Sequence, residues 1–218
     1  MSTPPTIVPL LAALLLAAPA AARAQDATLP PRLGGDAREA IVRLADSLRA
    51  AGVPAEPLYA KAAEGVLKGA DDARIVVAVR TLARELGQAR AALGPAAPSG
   101  DVVAAASALH AGVPAASIRR LREAGSGSLA LPLVVLADLA ARGVPASAAA
   151  GSIAELVARG ASEAELSGFR AGVERDIASG RDARAAADAR LQAALLQLDR
   201  RGAPRPRAAG APPMPPMP

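Results

Sequence analysis

The tetrapeptide Gly-Val-Pro-Ala occurs three times in this chain, at 52–55, 112–115 and 143–146. Glycine supplies the left-handed residue that ends a helix, proline holds the preceding valine extended, and the same proline is well placed to open the next helix. Each copy therefore reads as a joint between two helices. The first and third copies are offset by 91 residues, and that offset carries Val66 onto Val157, Gly69 onto Gly160, Ile75 onto Leu166, Leu82 onto Val173 and Leu86 onto Ile177. Composition alone does not hold one offset over so long a stretch. The chain reads as two homologous three-helix units, about 36–94 and 128–180, with a partial copy at 101–125 between them.

Local signals fill in this frame. Asp36 and Glu39 form a D-x-x-E capping arrangement ahead of Ile41, Leu44, Ala45 and Leu48, which share one helical face. A second helix runs to Lys68. A third opens at the Asp71-Asp72 cap and repeats Ile75, Val79, Leu82, Leu86, Ala89 and Leu93 as far as Gly94. Ser162 and Glu165 form another capping box, ahead of Leu166, Phe169, Val173 and Ile177. A last helix, about 182–201, gathers Ala187, Leu191, Ala194, Leu195 and Leu198. No run of alternating β-branched residues interrupts the pattern. The expected fold is all-α: helical hairpins with an internal three-helix duplication, as a bundle or a short superhelix. Its expected division is 36–94 as the first helical unit, 95–100 as a linker and natural hinge, 101–180 as the second unit with the partial repeat, and 181–201 as the C-terminal helix.

Composition narrows the chemistry. Apolar residues make up 52% of the chain, but there is one Phe, one Tyr, no Trp, no Cys and one His. Alanine dominates the apolar set, which favours helices packed closely through small side chains. Without cysteine there is no disulfide, thiolate zinc site or cysteine nucleophile, and one imidazole makes no multi-histidine metal site. No metal or other cofactor is expected.

The two ends are expected to lie outside the folded body. Ile7 to Ala22 is uncharged, with Leu10 to Leu16 at its centre, and Ala22-Arg23-Ala24 matches a small-residue cleavage pattern. Residues 1–24 read as a signal peptide cleaved near Ala24, and 25–35 as a flexible segment. The mature chain is then exported to the periplasm or the extracellular space, with no transmembrane helix. From Gly202 to Pro218 the sequence is rich in proline, with polyproline character expected and no fold. Formal net charge is +5. Acidic and basic residues balance between Gln25 and Gly180, so the excess lies at the C-terminal end, where Arg200, Arg201, Arg205 and Arg207 are candidates for contact with an anionic envelope surface. A neutral body without aromatic stacking residues argues against nucleic acid.

Lys61, Glu64 and Lys68 lie three and four residues apart on one helix around Gly65, and they are the candidate polar contact site. The plainer reading is a surface ion-pair ladder, with Gly65 making room for a neighbouring helix. Asp71 and Asp72 suit capping, His110 suits a helix C-terminus, and Arg119, Arg120 and Arg122 suit a solvated face. Gly125-Ser126-Gly127-Ser128 reads as a linker whose Ser128 caps the next helix.

The block formed by Gly52-Val53-Pro54, Pro57-Leu58, Lys61-Ala62-Ala63-Glu64-Gly65, Lys68-Gly69 and Arg74-Ile75 resembles a segment of exported bacterial α-helical repeat proteins of unassigned function. The resemblance covers a small part of the chain and implies export and a helical repeat, with no activity attached. The expected function is that of a non-enzymatic envelope or extracellular scaffold with a protein or anionic partner. The alternatives are a carboxylate-dependent hydrolase using an interhelical groove, and self-association through alanine-rich faces.

Overall fold

The computed structural model describes residues 29–202 apart from Ser126. The expected leader, the start of the expected N-terminal segment, and the Pro-rich tail with Arg205 and Arg207 lie outside the described residues. Among those described there are nine helices and no strand: α1 (Gly35–Ala50), α2 (Glu56–Leu67), α3 (Asp72–Leu93), α4 (Ser99–His110), α5 (Ala115–Ala124), α6 (Ala130–Ala141), α7 (Ala146–Ala158), α8 (Glu163–Ala178) and α9 (Ala183–Gly202). The all-α expectation holds, and the duplication is visible in the boundaries. α2 and α7 end 91 residues apart, as α3 and α8 begin, and the partial copy is the pair α4–α5.

All three Gly-Val-Pro-Ala joints take one conformation. Gly52, Gly112 and Gly143 sit at φ of 67°, 85° and 89°. The following valine donates its N–H back across the helix end, from Val53 to Leu48 O at 2.9 Å, from Val113 to Ala108 O at 3.0 Å and from Val144 to Leu139 O at 3.0 Å. Each valine is buried, which supplies the apolar contact that accompanies this termination. The exit from the first helix is thus the same three times, while the entry to the next differs: α5 and α7 start at the alanine with proline as N-cap, and α2 starts one residue later at Glu56 with Ala55 as N-cap.

The hairpins stack in two rows. α1, α3, α4, α6 and α8 each pack on the next, while α5 packs on α7, α7 on α9, and the long α3 also meets α2 and α5. A single core runs through the stack. At the α1 end the stack is finished with charge, as a terminal helix requires for solubility. Where the N-cap Leu129 and the interior helix α6 supply Leu129, Leu133, Ala137 and Ala140, the terminal helix α1 carries Arg38, Val42, Asp46 and Arg49 at the matching positions. Thus Leu133 is fully buried and Val42 is 38% exposed.

Several local expectations change on folding. The N-cap of α1 is Gly34 without a side-chain cap, so Asp36 lies in the first turn instead of capping it. The described part of the N-terminal segment is packed down: Leu29 and Leu33 are buried, and the Gly34 N–H donates to Asp72 Oδ2 at 2.9 Å. The stretch expected as a hinge is held by Arg90, whose guanidinium donates to Pro95 O at 3.2 Å, Ala97 O at 2.7 Å and, across the fold, Gly52 O at 2.7 Å. The Asp71 cap and the Ser162–Glu165 capping box form as expected.

Candidate binding groove

The polar cluster on α2 is assembled by helical spacing alone. Lys61 Nζ lies 2.9 Å from Glu64 Oε2, and Lys68 pairs with Glu64 Oε1 one turn further on. Hydrogen bonds from Lys68 and then Lys61 hold the Glu64 carboxyl down at about 2. Gly65 makes room for α3, since a Cβ there would stand 2.7 Å from Ile75 Cγ1. The two lysines and the glutamate therefore satisfy one another along the edge of a shallow depression of about 220 Å³ that Arg74 and Ile75 also line.

This ladder has a measurable signature. A carboxyl whose folded pKa is depressed stabilises the fold above its ordinary value, and that contribution is lost as pH falls toward the folded value. The Glu64 carboxyl carbon, followed by NMR, should titrate at about 2 in the intact protein. In Lys68→Met the midpoint should climb toward the ordinary Glu value of about 4.3. A midpoint already in the ordinary range in the unaltered protein would mean that the ladder does not persist in solution.

Lys61 also borders a larger groove of about 530 Å³ between α2, α3 and α4. Apolar side chains from Pro57, Ala78, Leu82, Val103 and Ala106 line it together with the polar Lys61, Thr81, Glu85, Ser107 and His110. Glu85 and His110 meet there, with His110 Nδ1 3.1 Å from Glu85 Oε1. The two side chains are unequally exposed, 14% for Glu85 and 73% for His110. His110 does close α4, as expected, but its imidazole turns to a carboxylate on α3 instead of resting on the helix-end carbonyls. Ser107 Oγ donates to the Val103 carbonyl of its own helix at 3.2 Å.

The remaining candidates are dispersed. Arg200 and Arg201 are both exposed, but Arg201 is engaged, donating to both Glu165 oxygens at 3.0 and 2.8 Å and to Gly160 O at 3.1 Å. Arg201 thus clasps α9 to the α7–α8 joint, a use that its place in a basic C-terminal run conceals. Arg119, Arg120 and Arg122 are exposed on α5 and form no ion pair among the described residues.

Two further carboxylates were invisible as site residues. Asp101, at 4% exposure, accepts from Ser128 Oγ at 3.0 Å and from the Leu129 N–H at 3.1 Å, welding the start of α4 to the start of α6. Ser128 is not the expected cap, since the N-cap of α6 is Leu129 without a side-chain cap; Ser128 lies one residue earlier and its Oγ accepts the Ala130 N–H at 3.3 Å. Asp176 on α8 receives a two-pronged contact from Arg190 of α9, at 2.8 Å from Nε and 2.6 Å from Nη2. Arg190 is the main cause of a lowered Asp176 pKa, and Asp176 correspondingly raises that of Arg190. The chain has no significant match among protein-family models, curated proteins or solved structures. Its chemistry therefore has to be read from its own residues. Among the described residues no three His, Asp or Glu side chains gather as a metal site, and no helix is long and apolar enough to cross a membrane.

Proposed function

We propose that this protein is an exported, non-enzymatic helical protein that works by binding, as an envelope or extracellular scaffold or adaptor. The observation that carries this reading is the α2–α3–α4 groove, an open space of about 530 Å³ lined by Pro57, Ala78, Leu82 and Val103 together with polar side chains. A groove of this volume between helices, with a few polar groups in its lining, has the form of a binding site. The acid chemistry of the other reading is poorly served. A general acid needs a raised carboxyl pKa, yet Glu64 is held at about 2, and Asp101 and Asp176 are spent on joining helices.

The hydrolase reading keeps one favourable observation, the Glu85–His110 pair beside Ser107 in the same groove. Against it, the Ser107 hydroxyl is engaged with its own helix.

The test uses the mature chain 25–218 as bait in an envelope extract, beside a version ending at Gly202, with captured proteins read by mass spectrometry. A specific partner retained by both baits is expected, placing binding on the helical body. A partner lost on truncation would move it to the basic tail, and no partner with either bait would sink the adaptor reading and make hydrolase screening with His110→Ala as control the next step. N-terminal sequencing checks export. Gln25 as first residue in the extracytoplasmic fraction is the expected result, and protein retaining Met1 in the cytoplasm would contradict it.

A further inference from the structure

We propose that the C-terminal segment Ala203–Pro218 of this same chain folds back on the α7–α8 joint and lies in the open space between that joint and the start of α6. Both parts belong to one chain, so the proposal goes beyond the adaptor reading and does not rest on it.

The end of α5, the start of α6, the end of α7 and the start of α8 meet around an open space of about 520 Å³. Leu129, Leu131, Pro132, Val157 and Leu166 supply its apolar walls, and Glu163 is the one charged side chain that lines it among the described residues. Glu163 stands exposed in the first turn of α8, and no ion pair among the described residues engages it. The space therefore suits an apolar ligand that carries a cation.

The occupant follows from where the described chain ends. α9 runs to Gly202, and Arg201 just before it donates to Gly160 O at 3.1 Å, where Gly160 is itself part of the lining. Ion pairs of Arg159 with Asp199 at 3.0 Å and of Arg201 with Glu165 at 2.8 Å fix the helix end at this place. The chain that follows is thus released beside the space. It opens with Ala203-Pro204-Arg205-Pro206-Arg207 and closes with Pro212-Pro213-Met214-Pro215-Pro216-Met217-Pro218. At about 3.1 Å per residue in polyproline II form it has ample length to cross one joint. Arg205 and Arg207 supply a cation for Glu163, and proline with pliable methionine suits irregular apolar walls at a low cost in chain entropy. Tethering at Gly202 gives this segment an effective concentration on the order of millimolar, so it outcompetes the same segment of a second copy.

The other end of the described chain shows how such a joint takes a proline-bearing segment. The 91-residue offset makes the α2–α3 joint the counterpart of the α7–α8 joint. On it lies Leu29-Pro30-Pro31-Arg32-Leu33, with both leucines buried, Arg32 donating to Ala70 O at 3.3 Å and the following Gly34 N–H donating to Asp72. Asp72 is the residue that the offset carries onto Glu163. In the second unit the positions equivalent to 29–33 are the end of α5, of which Ala124 alone lines the space, and the space stays open beside it. The first unit is thus a pattern for the contact and not a filled copy of this space.

The chain has no cysteine, so Ala209→Cys gives a single attachment point for a nitroxide spin label in the middle of the segment. In the mature chain labelled with nitrogen-15, the amides of Leu131, Val157, Ala161 and Glu163 should lose most of their NMR intensity, and those of α1 should keep theirs. Ala158→Trp, at an exposed position of the lining, should restore the lost signals by filling the space. Glu163→Gln should weaken the docking about threefold, the size of an exposed ion pair, and Arg205→Gln with Arg207→Gln should add little to it, since the groups act together. Circular dichroism melts establish that each variant folds. Full intensity at all four amides, losses spread evenly over the stack, or losses that Ala158→Trp and Glu163→Gln both leave unchanged would overturn the proposal. Losses that appear when spin-labelled chain is mixed with isotope-labelled chain lacking the nitroxide would assign the space to the segment of a second copy and overturn it equally.

Discussion

Replacing Leu136 by alanine should lower the unfolding free energy by about 4 kcal/mol, in the upper part of the range for buried leucines. Leu136 is fully buried on α6, the interior helix that packs on α4, α7 and α8. Much of what α4 turns inward is alanine, at 104, 105, 106 and 108. Alanines have no rotamers with which to fill a void, so the cavity persists and its lining loses its contacts outright. The converse change tests the same physics. Ala105 is fully buried, and Ala105→Leu should cost about 1–3 kcal/mol by forcing closely packed helices apart. Leu196→Ala, at a position 57% exposed, should stay within about 0.5 kcal/mol. Urea unfolding with an unchanged m-value is the measurement. A Leu136→Ala cost under about 2 kcal/mol would mean that the site collapses, and that the alanine-lined core is more yielding than drawn here.

What could be read from the sequence is what the chain encodes locally. The joints were legible because a left-handed glycine and an extended pre-proline residue are properties of a few adjacent positions. The duplication was legible because an offset needs no coordinates. The Lys61–Glu64–Lys68 ladder was legible too, since residues three and four apart on a helix must meet. Contacts across helices were not. Glu85 with His110, Asp101 with Ser128, Asp176 with Arg190 and Glu165 with Arg201 each join residues whose meeting depends on how two alanine-lined faces cross. Alanine patterns fix that a helix packs closely but leave its rotation and crossing angle weakly marked in the sequence. Arg201 illustrates the consequence: by composition it belongs with a basic run, and by packing it belongs with Glu165 and Gly160.

Arg190→Met should loosen α9 from α8 and lower the melting temperature at neutral pH by roughly 5–10 °C, because it leaves a mostly covered carboxylate without its main partner. Methionine keeps an apolar stem over Gly172, so the loss reports chiefly on charge. Asp176 retains only Arg181, 3.3 Å away. The pH dependence separates this from a packing defect. The folded Asp176 pKa is lowered, first by the hydrogen bonds from Arg190, so the pair stabilises the fold above the ordinary Asp value of about 3.9 and ceases to do so as pH falls through the lower folded value. The gap between wild type and Arg190→Met should accordingly be widest at neutral pH and close progressively below about pH 4. A gap that stays constant into acid would assign the effect to the lost stem contacts. Asp176→Asn combined with Arg190→Met should recover much of the loss at neutral pH, since a neutral pair leaves no charge uncompensated.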